Sequence, residues 1–329
     1  MAITISECSI FDSKIAAEWE GIYKTNAQLT VFSSYSFTSL FIKKFSKEKS
    51  RRSLKPIVVR AFDDKRGTLM FLPLCKRHDN YYTLYDYSSV PYCDAVYRTD
   101  ITKDDFDYIM DHLCDVLGNN TVYFTKMSKF SEFTKYLHER YTAYKKRRCG
   151  SIELLRSYDY TYKLIDKECR ENIEEAQEKI RTQGLQYKTD FYLEKPLSKR
   201  VLSDILLITG REETGLLKRM RRLSAFKNSA VLQSIRNGND SLVAVSYIDE
   251  YPVACIYGFI RNKKIIVVKL ASTKYGVGYS SIHLLLSDLI KYSVDNKLAS
   301  SIDLCRTDDK IKSDFVSKKH HVYSFEIKL

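Results

Sequence analysis

The stretch Leu242-Val243-Ala244-Val245-Ser246-Tyr247-Ile248-Asp249 has a counterpart far earlier in the chain, Ile57-Val58-Val59-Arg60-Ala61-Phe62-Asp63-Asp64. Each is an apolar run of strand length that ends in an acidic turn. A second strand follows in both places, Thr68-Leu69-Met70-Phe71-Leu72-Pro73-Leu74 and Pro252-Val253-Ala254-Cys255-Ile256-Tyr257-Gly258. Next come basic turns, Lys76-Arg77-His78-Asp79-Asn80 and Arg261-Asn262-Lys263-Lys264, and third strands at 81–87 and 265–270. Both halves then continue as loop, amphipathic helix, strand, short helix and strand. The chain reads as a duplicated module of the α/β (α+β) class.

Working outward, the first half opens with a helix over 13–26, where Ile15, Ala16, Trp19, Ile22 and Tyr23 keep helical spacing. Phe37, Leu40, Phe41 and Phe45 mark a second helix. After the three strands come a helix over 103–117, a strand at 121–124, a helix over 129–140 and a closing strand, Ser151-Ile152-Glu153-Leu154-Leu155. The boundary falls near Asp159, giving modules 1–158 and 159–329. The second half opens with a helix over 166–183. Cys169, Ile173, Ala176 and Ile180 form its stripe, and Gly184 is a natural C-cap. A strand at 185–191 and helices near 198–208 and 224–235 precede the strands of 241–272. The chain closes with a helix over 280–296, a strand at 301–305, a helix over 310–317 and a strand at 322–327. With 5 Pro and 11 Gly in 329 residues there is no flexible linker composition, so packed modules are expected rather than tethered ones.

A hydrophobic content of 44% with 29% charged residues fits a globular protein that builds its own core. No apolar run reaches membrane-spanning length, and the first residues lack the basic-then-apolar pattern of a signal peptide. The eight cysteines are scattered without a C-x-x-C pair, which argues against a zinc ribbon, and no metal is expected. Several lie in apolar strands, as in a reducing compartment, so a cytoplasmic location is expected. Cys305 has a nucleophile reading beside the structural one.

The net charge is +13, and the basic residues cluster at Lys43-Lys44, 47–52, Lys145-Lys146-Arg147-Arg148 and 218–222. Such clusters attract phosphates, acidic glycans, tRNA or anionic lipid; they also serve simply as solvated surface. No zinc-finger spacing or RNP-type motif accompanies them. The 25 Tyr and 16 Phe suit strand and core packing, with sugar stacking as the functional alternative.

The segment Thr273-Lys274-Tyr275-Gly276-Val277-Gly278-Tyr279-Ser280-Ser281 joins a buried strand to the helix carrying Ile282, Leu285, Leu286, Leu289 and Ile290. Two glycines at i and i+2 permit a sharp turn that exposes successive N–H groups. With the helix N-terminus, these would form a pyrophosphate site. The bland reading is that the glycines make the turn and Ser280 or Ser281 caps the helix. No Gly-Lys-Ser/Thr follows, so this is not a Walker loop, and the preceding hairpins exclude a dinucleotide fingerprint.

This order of elements around a Gly-x-Gly turn resembles the GNAT acyltransferase fold, whose phosphate loop reads Gln/Arg-x-x-Gly-x-Gly/Ala. The chain keeps Gly276 and Gly278 and has Thr273 at the leading position. Two such modules resemble the BioF2-like/CelD-type acetyltransferases, with the FemABX peptidyltransferases as cousins. Ile302-Asp303-Leu304-Cys305 with Ile311-Lys312-Ser313-Asp314-Phe315 resembles the CelD-type ending. Arg170-Glu171-Asn172-Ile173-Glu174-Glu175-Ala176 with Gly184 resembles the helix that opens the second Fem-like module. The resemblance implies tandem GNAT-like modules, with acetyl-CoA or another acyl-CoA as co-substrate. It places Thr273, Tyr275, Gly276, Val277, Gly278, Tyr279, Ser280 and Ser281 at the donor. It puts Asp303 near the acyl-transfer cleft, orienting or deprotonating an amine, while Lys312 lies off the Ile311/Phe315 face of its helix and so can reach substrate, phosphate or solvent. For both residues a structural reading stands beside the functional one, since a carboxylate inside a strand must be paired if buried.

The first module's equivalent loop, residues 87–95, has no glycine and contains Pro91, so only the second module is expected to bind the donor. The His320-His321 pair reads as structural, and Arg211, Glu212 and Glu213 are placed in a groove between the modules. The reading is an N- or O-acyltransferase, with an amino sugar or a surface-polysaccharide precursor as acceptor. Two alternatives accompany it, a Fem-like transferase using charged tRNA and a non-catalytic binding protein that kept the fold.

Overall fold

The alternating runs 3–8 and 187–193 become strands with one neighbour, and the continuous apolar runs 242–248 and 252–260 become strands with two. The structure, a computed structural model, describes residues 3–45, 55–77, 81–85, 90–210, 230–238 and 240–329. Two compact units form: Met1–Arg147 with His321–Leu329, and Arg148–His320.

The first unit begins with β1 (Ile3–Cys8), α1 (Ser13–Thr25), α2 (Tyr35–Phe45), β2 (Lys55–Asp63), β3 (Gly67–Arg77), β4 (Tyr81–Leu84) and β5 (Val96–Tyr97). It continues through α3 (Lys103–Asp111), α4 (Cys114–Leu117), β6 (Thr121–Ser128), α5 (Glu132–Arg140) and the start of β7 (Lys145–Glu153). Trp19 of α1 is fully buried, stacks 4.9 Å from Phe71 of β3 and donates its indole N–H to the Ser33 carbonyl at 2.8 Å. That contact fixes a helix on one face of the sheet through a large apolar ring with a satisfied polar edge.

The second unit holds α6 (Tyr158–Tyr162), α7 (Lys167–Thr182), β8 (Tyr187–Leu193), α8 (Lys199–Gly210), α9 (Ala230–Asn237), β9 (Ser241–Ile248), β10 (Tyr251–Arg261) and β11 (Lys264–Ser272). Then come α10 (Lys274–Val277), α11 (Ser281–Asp295), β12 (Ser301–Arg306), α12 (Lys310–Phe315) and the start of β13 (Lys318–Lys328). The stripe expected on α7 is the one it buries: Cys169, Ile173, Ala176 and Ile180 pack with Leu284, Leu285 and Phe315. Asp166 caps the helix by accepting from the Glu168 N–H, and Gly184 follows its end in the left-handed region. On the edge strand β8, the Tyr187 and Thr189 hydroxyls donate to Asp288 of α11 at 2.8 and 2.6 Å.

The units repeat one topology. In the first, β1, β2, β3 and β4 pair antiparallel in sequence, β4 pairs parallel with β6, and β6 pairs antiparallel with β13. In the second, β8, β9, β10 and β11 pair antiparallel, β11 pairs parallel with β12, and β12 pairs antiparallel with β7. Each is a mixed, mostly antiparallel sheet with flanking helices, and the helical segment before β6 or β12 is the crossover that a parallel pair requires. Irregularity repeats as well. Register shifts interrupt β6 against β13 and β12 against β7, with Lys126 and Cys305 at left-handed φ of 55° and 59°.

The last strands are exchanged. β7, read from sequence as closing the first half, pairs through Cys149–Glu153 inside the second unit, and the end of β13 pairs inside the first. The division into modules 1–158 and 159–329 therefore describes the repeat in sequence, and the compact units follow strand pairing. Two expectations are corrected: the chain opens on β1, ahead of the first expected helix, and the helix expected over 103–117 is broken at 112–113. The onset expected at 224, the clusters at 47–52 and 218–222, and Arg211, Glu212 and Glu213 lie outside the described residues. Lys145, Lys146 and Arg148 are exposed. Among the described residues no helix is long and apolar enough to cross a membrane, and no group of three potential ligands could hold a metal.

Candidate functional site

The parallel pair of the second unit is short. Lys264, Ile265 and Ile266 of β11 face Ser301, Ile302 and Asp303 of β12, and the pairing ends there. β11 runs on to Ser272, while β12 continues to Arg306 against β7 on its other side. Among the described residues no strand or bridge pairs with the β11-facing edge of β12 beyond Asp303. In the first unit the matching pair, 81–83 with 121–123, is continued differently. Cys93 bridges parallel to Met127, and its N–H donates to the Lys126 carbonyl at 3.1 Å. Cys93 thus pairs with an edge of β6 whose counterpart on β12 has no strand or bridge partner among the described residues, although Leu304 and Cys305 there are buried.

The loop that follows β11 is built differently from the sequence expectation. Lys274–Val277 is a helical turn capped by Thr273, whose hydroxyl accepts from the Gly276 N–H at 3.0 Å. The N–H groups of Val277, Gly278, Tyr279 and Ser280 donate to the carbonyls of Thr273, Tyr275, Gly276 and Val277 at 2.9–3.1 Å. Five successive amides are thereby satisfied within the loop. The two glycines also differ in role. A Cβ on Gly276 would lie 2.5 Å from the Val253 carbonyl oxygen and 2.6 Å from the Ser272 and Ser281 hydroxyls. One on Gly278 would meet only the Tyr275 carbonyl oxygen, at 3.4 Å. Gly276 is a packing requirement, and Gly278 has room. Ser280 precedes α11 in the left-handed region, and its side chain makes no capping bond.

Of the eight residues placed at the donor, Thr273, Gly276 and Ser281 are buried; Tyr275, Val277 and Gly278 are exposed; Tyr279 and Ser280 are half-buried. The end of α7 reaches this surface. Lys179 donates to the Gly278 carbonyl at 2.8 Å and lies 4.8 Å over the Tyr279 ring, and the Tyr279 hydroxyl donates to Gln183 at 2.7 Å. Sequence reading missed Lys179 and Gln183, because the α7 stripe identifies only the buried face of that helix.

Asp303 is fully buried. Its carboxylate lies 2.9 Å from the Lys264 ammonium and 3.6 Å from His320 Nε2, and it accepts from the Cys305 N–H at 2.8 Å. It ties the start of β11, the bulge of β12 and the start of β13 together. His320, read as structural, has an acidic neighbour in space. Lys312 is half-buried on α12, and its charge acts on Cys305. Burial outweighs that charge and pushes the Cys305 thiol well up, so it is no ready nucleophile.

In the first unit, Asp94 follows the bridging Cys93. Burial raises its carboxyl to about 7, against the opposing bonds from Ser131 and the Ala95 N–H. A raised carboxylate pKa means the folded state binds the extra proton. Stability is full below the unfolded value near 4 and falls as the pH rises through about 7. Because Asp94 is partly exposed, the loss should be about 1–2 kcal/mol rather than the full linkage figure. Urea midpoints measured from pH 4 to 8 should show this slope, and Asp94→Asn should flatten it.

No protein-family model matches the sequence, and no curated protein matches it. Solved structures do match in fold. A tandem GNAT protein from the clavulanic acid biosynthesis pathway aligns with a TM-score of 0.56 at 6% identity, over 99% of this chain and 98% of its own. FemX aligns at 0.58 and 8%, over 98% and 97%. The L-PGS of Bacillus licheniformis aligns at 0.55 and 11%, over 95% and 91%. At these identities the likeness establishes the fold, which is the tandem GNAT fold.

Proposed function

We propose that the chain is an acyl-CoA-dependent N- or O-acyltransferase whose donor lies in the second unit, at the edge of β12 left without a strand partner and the 273–281 loop. One observation carries this reading: Cys93 pairs with this edge in the first unit, and among the described residues no strand or bridge pairs with it in the second. In the reaction, an acceptor amine or hydroxyl attacks the thioester carbonyl carbon, the thiolate leaves, and the acceptor proton passes to solvent. N–H groups along β11 beyond Ile266 would polarise the carbonyl, and the cleft would hold the acceptor in line. Because the loop amides are already bonded, phosphate binding falls to side chains, and Lys179, Lys274 and Lys312 are the cations we assign to it. Asp303 acts as a positioning residue that sets the course of β12. The acceptor is an amino sugar or a surface-polysaccharide precursor, in keeping with the BioF2-like/CelD-type resemblance, and the setting is the cytoplasm.

A thermal-shift series with acetyl-CoA, longer acyl-CoAs and tRNA tests the reading, since a ligand at 100 times its Kd adds about 2.7 kcal/mol to stability. An acyl-CoA should raise Tm. A salt-sensitive response to tRNA alone would favour aminoacyl transfer, and no response to any CoA ester would favour a binding protein. Gly278→Val should fold normally and bind acyl-CoA more weakly, because the branched side chain would project from an exposed turn where phosphate oxygens approach. Undiminished binding by that variant would remove the loop from the donor site.

A further inference from the structure

The covered edge of the first unit leaves a small cavity. Its volume is about 30 Å³, and it lies between α2 and the 90–94 segment. Phe32, Phe37, Phe41, Tyr85 and Tyr92 wall it, and Asp94 stands on its lining. About 10–15 Å³ of such space holds one water, so two or three heavy atoms fit. The Asp94 carboxylate accepts the Ala95 N–H at 2.8 Å and a bond from Ser131, and among the described residues no ion pair reaches it. The groups around it are known. Ser131 caps α5 and contacts the Tyr97 hydroxyl at 3.1 Å, the Cys93 thiol donates to the Tyr85 carbonyl, and the Lys126 ammonium of β6 donates to the Val90 carbonyl at 3.0 Å.

We propose that this cavity binds the ammonium end of a small primary amine, held between the aromatic rings and the Asp94 carboxylate. Aromatic faces attract a cation most strongly where water is excluded, and a partly desolvated carboxylate supplies the counter-charge. Two or three heavy atoms describe a methylammonium or ethylammonium group and exclude a quaternary ammonium. The cavity lies in the first unit and the donor is placed in the second, so the inference stands apart from the transfer reading, and binding can be measured without a donor.

The probes are methylammonium chloride, sodium chloride at equal ionic strength, and methanol as a neutral probe of equal size. Methylammonium should raise Tm saturably at pH 8, at least about tenfold more tightly than at pH 5.5, where the carboxyl carries its proton. Sodium chloride and methanol should not do so. Asp94→Asn should lose methylammonium binding by about tenfold or more. An equal response to methanol, an equal response at both pH values, or full binding by the variant would overturn the assignment. The wild-type comparison of methylammonium with methanol decides the matter even if the variant fails to fold. Amine binding without acyl-CoA binding would leave the cavity standing and sink the transfer reading.

Discussion

Gly276→Ala should lower stability by about 2–4 kcal/mol, while Gly278→Ala should change it by less than about 1 kcal/mol or raise it. At 276 the new methyl group would lie 2.5–2.6 Å from a backbone oxygen and two hydroxyls that meet between β10, β11 and α11. The junction must open to admit it, which is the overpacking case at its severe end. At 278 the backbone is already right-handed, with φ −64° and ψ −14°, so alanine fits and loses less freedom on folding than glycine. Urea midpoints of the two variants give the comparison directly. Similar losses at both positions would mean that Gly276 is not held against Val253, Ser272 and Ser281.

Asp303→Ala should lower stability by about 3 kcal/mol or more, through uncompensated charge at Lys264 and a lost acceptor for the Cys305 N–H. Lys264 retains some exposure, which keeps the effect near the low end of the range for broken buried pairs. Asp303→Asn keeps an acceptor for Cys305 and should lose less. Thermal unfolding of both variants, read beside transfer rates on the folded fraction, separates positioning from proton transfer. A variant as stable as wild type but devoid of activity would make Asp303 the base rather than the tie.

Much of this architecture was legible in the sequence because it is written locally. The α7 stripe of Cys169, Ile173, Ala176 and Ile180 gave both the helix and its buried face, and the apolar runs 57–64 and 242–249 gave the repeat. β1 was less legible, since a six-residue edge strand with one neighbour buries little. The exchange of β7 and β13 could not be read at all, because a strand's sequence reports which face is buried and not which chain segment lies beside it. The site divides in the same way. The 273–281 loop was found from its glycines, but its helical turn depends on Thr273 capping and on contacts with Val253 and Ser281. Lys264 and His320 around Asp303, and Lys179 and Gln183 at the loop, come from distant segments. Nothing in their own neighbourhoods marks them. Asp94 carries no motif either, and its environment arises only when Cys93 pairs with β6 and Val96–Tyr97 pair with β3.

The central claim is that a repeated fold carries one donor site, in the second unit. Calorimetric titration with the best acyl-CoA from the thermal-shift series tests it most directly. One site per chain, weakened in Gly278→Val and unaffected in Asp94→Asn, is the predicted result. Two equivalent sites per chain, or one site that survives Gly278→Val and is lost in Asp94→Asn, would contradict it.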